Sequence, residues 1–416
     1  MSHFSYMEKL LDGVGVELKT LGWVGEVRMC KRIMKNQTSD IGDIPFFKIG
    51  TFGKEPNAYI SRKIFHEYKE KYSYPRIGEV LISASGTIGR TVIFDGREAY
   101  FQDSNIVWLE NDESKVLNKY LFHFYKIAKW GVSNGGVISR LYNDNIKKTL
   151  IPIPCPNDPK KSLEIQAEIV RILDAFTAMT AELTTELNMR KKQYNYYRDQ
   201  LLSFEEGEVE WKTLEEVAHF ANGKGHEKDI SEDGKFIVVN SKFISTDGLV
   251  AKYSDSQICP LFKDDILLVM SDLPNGKALS KTFIVDEDER YTLNQRIGGI
   301  TVKDKSEILP KFLHYYLDRT PQLLKHDNGV DQTNLRKGQI LEVKVPILPL
   351  QKQEHIVSIL DKFDKLTKSL SEGLPREIEL RQKQYEYYRD LLLSFPAFPA
   401  GGPTCPAGGP KSEEVA

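Results

Sequence analysis

An α+β fold is predicted: two similar α/β domains joined by two long antiparallel coiled-coil helices about a pseudo-two-fold axis. Three observations predict it. A fifteen-residue stretch occurs twice, RKKQYNYYRDQLLSF at 190–204 and RQKQYEYYRDLLLSF at 381–395, identical at twelve positions and offset by 191 residues. Each copy ends a long segment, 162–204 or 351–395, whose apolar residues recur every three or four positions. Between these segments lie two stretches of short apolar runs whose frameworks echo one another while their loops differ. A repeat this long means that the chain is built as two halves.

The elements follow in order. In segment 1–21, Tyr6-Met-Glu-Lys-Leu-Leu11 resembles Tyr197-Arg-Asp-Gln-Leu-Leu202, and Val16-Glu-Leu-Lys-Thr-Leu21 matches Val209-Glu-Trp-Lys-Thr-Leu214. The chain therefore starts with the tail of the helical repeat. The order helix end, domain, helix, domain, helix is that of a two-fold ring cut inside one helix. Segment 1–21 is expected to pair with the C-terminal repeat near Phe395. Residues 22–154 form the first domain. Its runs IPFFKIGTF, GEVLISASGTIGRTVIFDG and NIVWLEND read as strands and turns, rich in Val, Ile and Phe and punctuated by Gly and Asn. Residues 207–349 form the second domain. KDDILLVMSDLPNGKALSKTFIV sits where GEVLISASGTIGRTVIF sat, and LPKFLHYYL answers LNKYLFHFY.

Residues 155–206 and 350–395 are the helical spacers. The first carries Ile165, Ile169, Ile172, Phe176, Met179, Leu183, Leu187, Tyr194, Tyr197, Leu201 and Phe204 on one stripe. The second carries Ile356, Ile359, Phe363, Leu366, Leu370, Leu374, Ile378, Tyr385, Tyr388, Leu392 and Phe395. Such narrow stripes suit a coiled-coil seam and are buried most economically against each other. The first helix contains a small tandem, TAEL then TTEL, at 180–187, whereas Gly373 and Pro375 predict a kink or break in the second near Leu374. The Pro/Gly-rich tail 396–416 is expected to be disordered.

Composition excludes several classes. At 40% hydrophobic and 28% charged residues the chain is of ordinary globular make-up. No apolar run approaches the ~20 residues that span a bilayer, and no secretory signal is evident at the start, so a cytoplasmic location is expected. Cys30, Cys155, Cys259 and Cys405 lack C-x-x-C spacing and fit reduced thiols better than disulfides or zinc ligands. The net charge of −2 gives no global pull toward nucleic acid, so any such surface requires local segregation of charge. No catalytic constellation is present: no amino-methyltransferase N/D-P-P-Y/F/W, no G-x-G-x-x-G, no phosphate loop and no H-E-x-x-H. The acidic runs SDIGD and DEDE read as solvated turns.

The two RxKQYxYYRDxLLSF copies, IPIP at 151–154, VPILP at 345–349, GTIG at 86–89 and the TAEL tandem resemble the specificity (DNA-recognition, HsdS) subunit of type I restriction–modification enzymes, over residues 1–395. The resemblance implies two target-recognition domains, each reading half of a split double-stranded DNA site, and no catalysis by this chain. The helices would act as a ruler and dock methyltransferase subunits. Two copies of that subunit are expected on the repeated surface, with restriction/translocase subunits beyond. No cofactor is expected on this chain; the partners would use S-adenosylmethionine, ATP and Mg. In the second domain GTIG is replaced by Asp272-Leu-Pro-Asn-Gly-Lys277, which departs from the pattern.

Arg and Lys suit guanine, Asn and Gln suit adenine, and Lys, Arg, Ser and Thr hold phosphates. The DNA-contact candidates in the first domain are Ser85, Thr87, Arg90, Asn134, Ser139, Arg140 and Tyr142. In the second they are Lys224, His226, Lys228, Asn275, Lys277, Gln332, Thr333, Asn334 and Arg336. Arg140, Gln332 and Asn334 are favoured because they share a loop position before the final strand of each domain. Lys192, Arg198, Lys383 and Arg389 repeat on the exposed helix faces and are the partner-docking candidates. The repeat tyrosines lie at helical spacing beside Leu and Phe and read as packing rather than base-stacking groups. The competing reading is a coiled-coil scaffold that binds proteins only. An autonomous methyltransferase conflicts with the missing motifs.

Overall fold

Two units of similar architecture emerge from the computed structural model, which describes residues 10, 14–132, 139–205, 207–226, 229–274, 276–369 and 372–395. One unit comprises residues 1–181 with 380–416, and the other comprises 182–379. Five helices connect and brace the domains: α1 (Asn118–Tyr125), α2 (Pro159–Leu201), α3 (Pro310–Leu317), α4 (Leu350–Thr367) and α5 (Leu374–Ser394).

In the first unit, β1 (Val16–Thr20) pairs antiparallel with β9 (Leu150–Pro154). The central sheet has the order β2 (Glu26–Met29), β8 (Ile106–Glu110), β5 (Val80–Ser83), β6 (Thr91–Ile93). A second sheet has the order β4 (Tyr59–Ile60), β3 (Ile44–Phe47), β7 (Tyr100–Phe101). The strands read as continuous apolar runs because both faces of the central sheet are covered. Val80, Ile82, Val107 and Leu109 face a core shared with α1 and the spacer helices. Leu81, Ile106 and Trp108 face the other way, into an aromatic core with Phe46, Phe65 and Tyr100. Successive strand residues point to opposite faces, so alternation sorts them.

The second unit repeats this plan. β10 (Glu210–Thr213) pairs with β20 (Lys344–Ile347). The sheet β11 (Ala218–Asn222), β18 (Ile297–Val302), β14 (Ile266–Val269), β16 (Thr282–Ile284) lies beside β13 (Tyr253–Ser254), β12 (Phe236–Val239), β17 (Tyr291–Leu293). A short extra ladder joins β15 (Ser271–Asp272) to β19 (Thr333–Asn334). Ile266 and Leu268 face the helix-side core, and Leu267 and Val269 face the other.

Each domain is fastened to its helix by a buried glutamine. In the first unit Gln166 of α2 accepts from the Leu117 amide at 3.0 Å and donates to the Lys115 carbonyl at 3.0 Å. In the second Gln353 of α4 accepts from the Leu309 amide at 2.8 Å and donates to the carbonyls of Glu307 and Leu348. The Leu117 and Lys115 groups lie at the start of α1, and those of Leu309 and Glu307 at the start of α3, where helix amides lack partners within the helix. About two turns further along each spacer, Lys119 and His123 of α1 bond Asp174, while Lys311 and Tyr315 of α3 bond Asp361.

The repeat stripes are packing surfaces. Phe176 stacks on Tyr388 in the first unit, and Phe363 stacks on Tyr197 in the second. In the second unit α2 and α4 run antiparallel: Tyr194 meets Phe363 and Lys368, while Ser203 and Phe204 share a groove with Gln351, Lys352 and Ile356. Leu10 packs against the cluster that holds Leu392, Leu393 and Phe395. The second spacer is interrupted where Gly373 and Pro375 predicted it, α4 ending at Thr367 and α5 starting at Leu374. Gly373 has φ +82°, and a β-carbon there would meet the Lys365 carbonyl at 2.4 Å, so only glycine lets the start of α5 lie this close to the last turn of α4. One expectation fails: Cys30 and Cys259 are free thiols, but Cys155 is disulfide-bonded.

Candidate nucleic-acid interface

The last residues of each central strand lead into the loops that carry the candidate contacts. In the first unit Ser85 forms a bridge with Arg140, and the Leu141 amide bonds the Ala84 carbonyl at 2.9 Å. In the second, Ser271 pairs with Asn334, and the Leu335 amide bonds the Met270 carbonyl at 2.7 Å. The two sites are the same piece of backbone. Arg140 and Asn334 occupy one ladder position, exposed in both units.

The turns beyond Ser85 and Ser271 are closed differently. In GTIG, Ser83 Oγ donates to the Thr87 carbonyl at 2.5 Å and accepts from the Arg90 amide at 2.9 Å. In Asp272-Leu-Pro-Asn-Gly-Lys277 the Asp272 carboxylate accepts from the amides of Ala278 and Leu279 at 2.7 and 3.2 Å. A β-carbon on Gly276 would lie 2.0 Å from that carboxylate. The departure from GTIG thus replaces a serine-closed turn by an aspartate-closed one.

The other candidates divide sharply. Arg90 is tied to the Phe52 carbonyl at 3.0 Å. Ser85 is buried and donates to Asn105 at 2.7 Å. Thr333 is buried against Asp327, and Gln332 donates to Ser271 Oγ at 2.8 Å. Gln332 therefore stands two residues before the position that Arg140 and Asn334 share, rather than at it. His226 is a correction. It is 1% exposed, with one ring nitrogen on the Lys224 carbonyl and the other on Thr292 Oγ1, so it belongs to the core. Tyr142 is 54% exposed and precedes the helix Asn143–Lys148, as exposed Arg336 precedes Lys337–Leu341. Ser139, Lys224 and Lys277 are exposed on their loops. Asn134, Lys228 and Asn275 lie outside the described residues.

Beside Arg140 opens a polar pocket of about 310 Å³, lined by Arg32, Lys35, Lys48, Gln102, Asp103 and Asn105 among others. Four cations face one carboxylate. Asp103 holds Arg32 Nε at 2.8 Å, while Lys35, Lys48 and Arg140 have no acidic partner among the described residues. These lining residues were not among the sequence candidates. They are scattered over seventy positions, and their one common signal is a polar side chain at the end of an apolar run, as in PFFK and YFQDSN.

The sequence model for the type I restriction modification DNA specificity domain matches residues 13–190 and again 206–380. The chain belongs to that family. It carries two such recognition domains and serves in recognition, not catalysis. It is 37% identical over 414 residues to the specificity subunit of the Escherichia coli type I restriction enzyme EcoR124I/EcoR124II, covering 95% of this chain and 98% of that one. It is 60% identical over 205 residues to a putative type I specificity subunit of Haemophilus influenzae, S.HindORF215P, a match spanning 48% of this chain and about half (51%) of that relative. A crystal structure of a type I S subunit from M. genitalium superposes with a TM-score of 0.53 at 16% identity, covering 92% and 97% of the two chains, which shows a shared fold.

The repeat arginines of this specificity subunit are half-buried. Arg198 pairs with Asp199 at 2.9 Å. Arg389 pairs with Asp390 at 2.7 Å and lies over the Tyr385 ring. Lys192 and Lys383 are exposed at corresponding positions. Tyr194 and Tyr385 are buried, in keeping with packing rather than base stacking, while Tyr196 and Tyr387 face outward. No helix among the described residues is long and apolar enough to cross a membrane.

Proposed function

We propose that this chain reads an asymmetric bipartite DNA site for a type I restriction–modification complex, with residues 22–154 reading one half-site and 207–349 the other. The spacers 155–206 and 350–395 set the gap and dock two methyltransferase subunits through Lys192, Arg198, Lys383, Arg389 and their neighbours. The observation that carries the reading is the shared ladder position. Identical backbone presents an arginine in one domain and an asparagine in the other, and these side chains suit different bases. Methyl transfer and cleavage belong to partner subunits that use S-adenosylmethionine, ATP and Mg, in the cytoplasm.

The test is duplex binding by the full chain assembled with its modification subunits, followed across salt concentration, together with sequencing of methylated DNA from cells carrying the whole system. Two different half-sites separated by an uncontacted gap are expected, with affinity falling steeply as salt rises. A complex with no affinity for duplex DNA returns the chain to the protein-only scaffold reading.

A further inference from the structure

We infer that the shared ladder position sets base identity in each domain: Arg140 reads a guanine edge and Asn334 an adenine edge in the major groove, while Lys35 and Lys48 hold phosphates of the first half-site. The inference rests on the reading of the chain as a duplex-recognition subunit and assigns that role to particular side chains.

A base-reading group needs a fixed backbone and an unspent side chain. At both positions the backbone is held on each side, by the bridges to Ser85 and Ser271 and by the amide bonds of Leu141 and Leu335. Both side chains are exposed, and neither makes an intramolecular side-chain hydrogen bond among the described residues. Several neighbours are already engaged: Ser85 with Asn105, Gln332 with Ser271, Thr333 with Asp327, Arg90 with Phe52. Arginine presents a planar fork that matches guanine N7 and O6, and an asparagine amide matches adenine N7 and N6.

The lysines fit a different task. Several other lysines of the first unit have acid partners, Lys19 with Glu17, Lys71 with Glu67, Lys119 with Asp174 and Lys147 with Glu26. Lys35 and Lys48 line the pocket without one. An uncompensated, flexible ammonium suits a phosphate, which demands charge but no fixed geometry.

The experiment compares Arg140→Asn, Asn334→Arg and the double variant Lys35→Ala/Lys48→Ala, each in the full chain assembled with its modification subunits. Binding is measured to the methylation-mapped site, to single-base-pair variants of it and to a scrambled duplex. Arg140→Asn is expected to lose between about fivefold and a hundredfold of discrimination at a single G·C pair of one half-site, leaving the other half-site unchanged. Asn334→Arg should do the same at a single A·T pair of the other half-site. The double lysine variant should weaken every duplex by one common factor and lower the salt slope by about 2. Arg140→Lys keeps the charge and a donor but not the planar fork, so it should retain general binding and lose less of the discrimination than Arg140→Asn does, which separates reading from loss of fold. Equal weakening of all duplexes by Arg140→Asn would make Arg140 a phosphate anchor and overturn the inference, as would unchanged preference at every position. Failure of the unmodified complex to discriminate any sequence sinks the parent reading instead.

Discussion

At the scale of single residues, the two halves part company where they are otherwise closest: Asp174 is met by His123, and Asp361 by Tyr315. Burial holds the His123 pKa below its ordinary value, and nearby Lys126 adds to this, although Asp174 pulls the other way. The folded unit therefore keeps His123 neutral, while the unfolded chain takes up a proton near the usual ~6.5. Stability from this site is present above that pH and is lost as pH falls below it. His123→Tyr copies the other half of the molecule, so its unfolding midpoint should fall less between pH 7 and pH 5 than that of the parent. An unchanged pH profile would rule out His123 as the acid-sensitive group. A second prediction concerns Gln353, which satisfies one amide and two carbonyls while fully buried. Gln353→Leu leaves these unpaired and should destabilise the second unit by about 3 kcal/mol, read from urea unfolding, since each buried orphan costs roughly 1–3 kcal/mol.

At the scale of elements, α2 runs unbroken through the TAEL–TTEL tandem, 43 residues of continuous helix. Insertion of a further TAEL after Leu187 adds about 6 Å of helix and keeps the apolar stripe roughly in line. It should lengthen the tolerated gap by about one base pair and leave both half-site sequences unchanged, as methylation mapping would show. A variant that alters half-site bases at constant gap would mean the helix is no ruler. The helices were legible in the sequence because a 3.6-residue period and a near-identical repeat are local signals. The break before Leu374 was legible for the same reason, since Gly373 and Pro375 act on their own neighbourhood. The ladder between β15 and β19 was not, because it joins Ser271 to Asn334 across some sixty residues and through only two residue pairs. The pocket beside Arg140 gathers Arg32, Lys48 and Gln102 by the same long-range pairing. His226 was misplaced because a polar residue in a glycine-flanked run reads as a surface loop unless its buried partner, Thr292, is known.

At the scale of the whole molecule, the family match falls twice along the chain, and the first unit takes residues from both ends. Under the proposed docking role, the repeated residues imply equivalent partner sites. Native mass spectrometry of the assembled complex should therefore show two methyltransferase subunits per chain at saturation, and one would count against the docking role of Lys192 and Lys383. The glutamine fasteners carry a wider consequence. Gln166 and Gln353 reach from the repeated helices to backbone amides and carbonyls of the domains, and every residue type except proline supplies both groups. A foreign domain that follows the same chain path meets the fastener ready-made, with no side chain to match. Under the proposed function, exchanging one domain for another that follows the same path should therefore change one half-site and leave the gap set by the spacers unaltered, as methylation mapping of a domain-swapped chain would show.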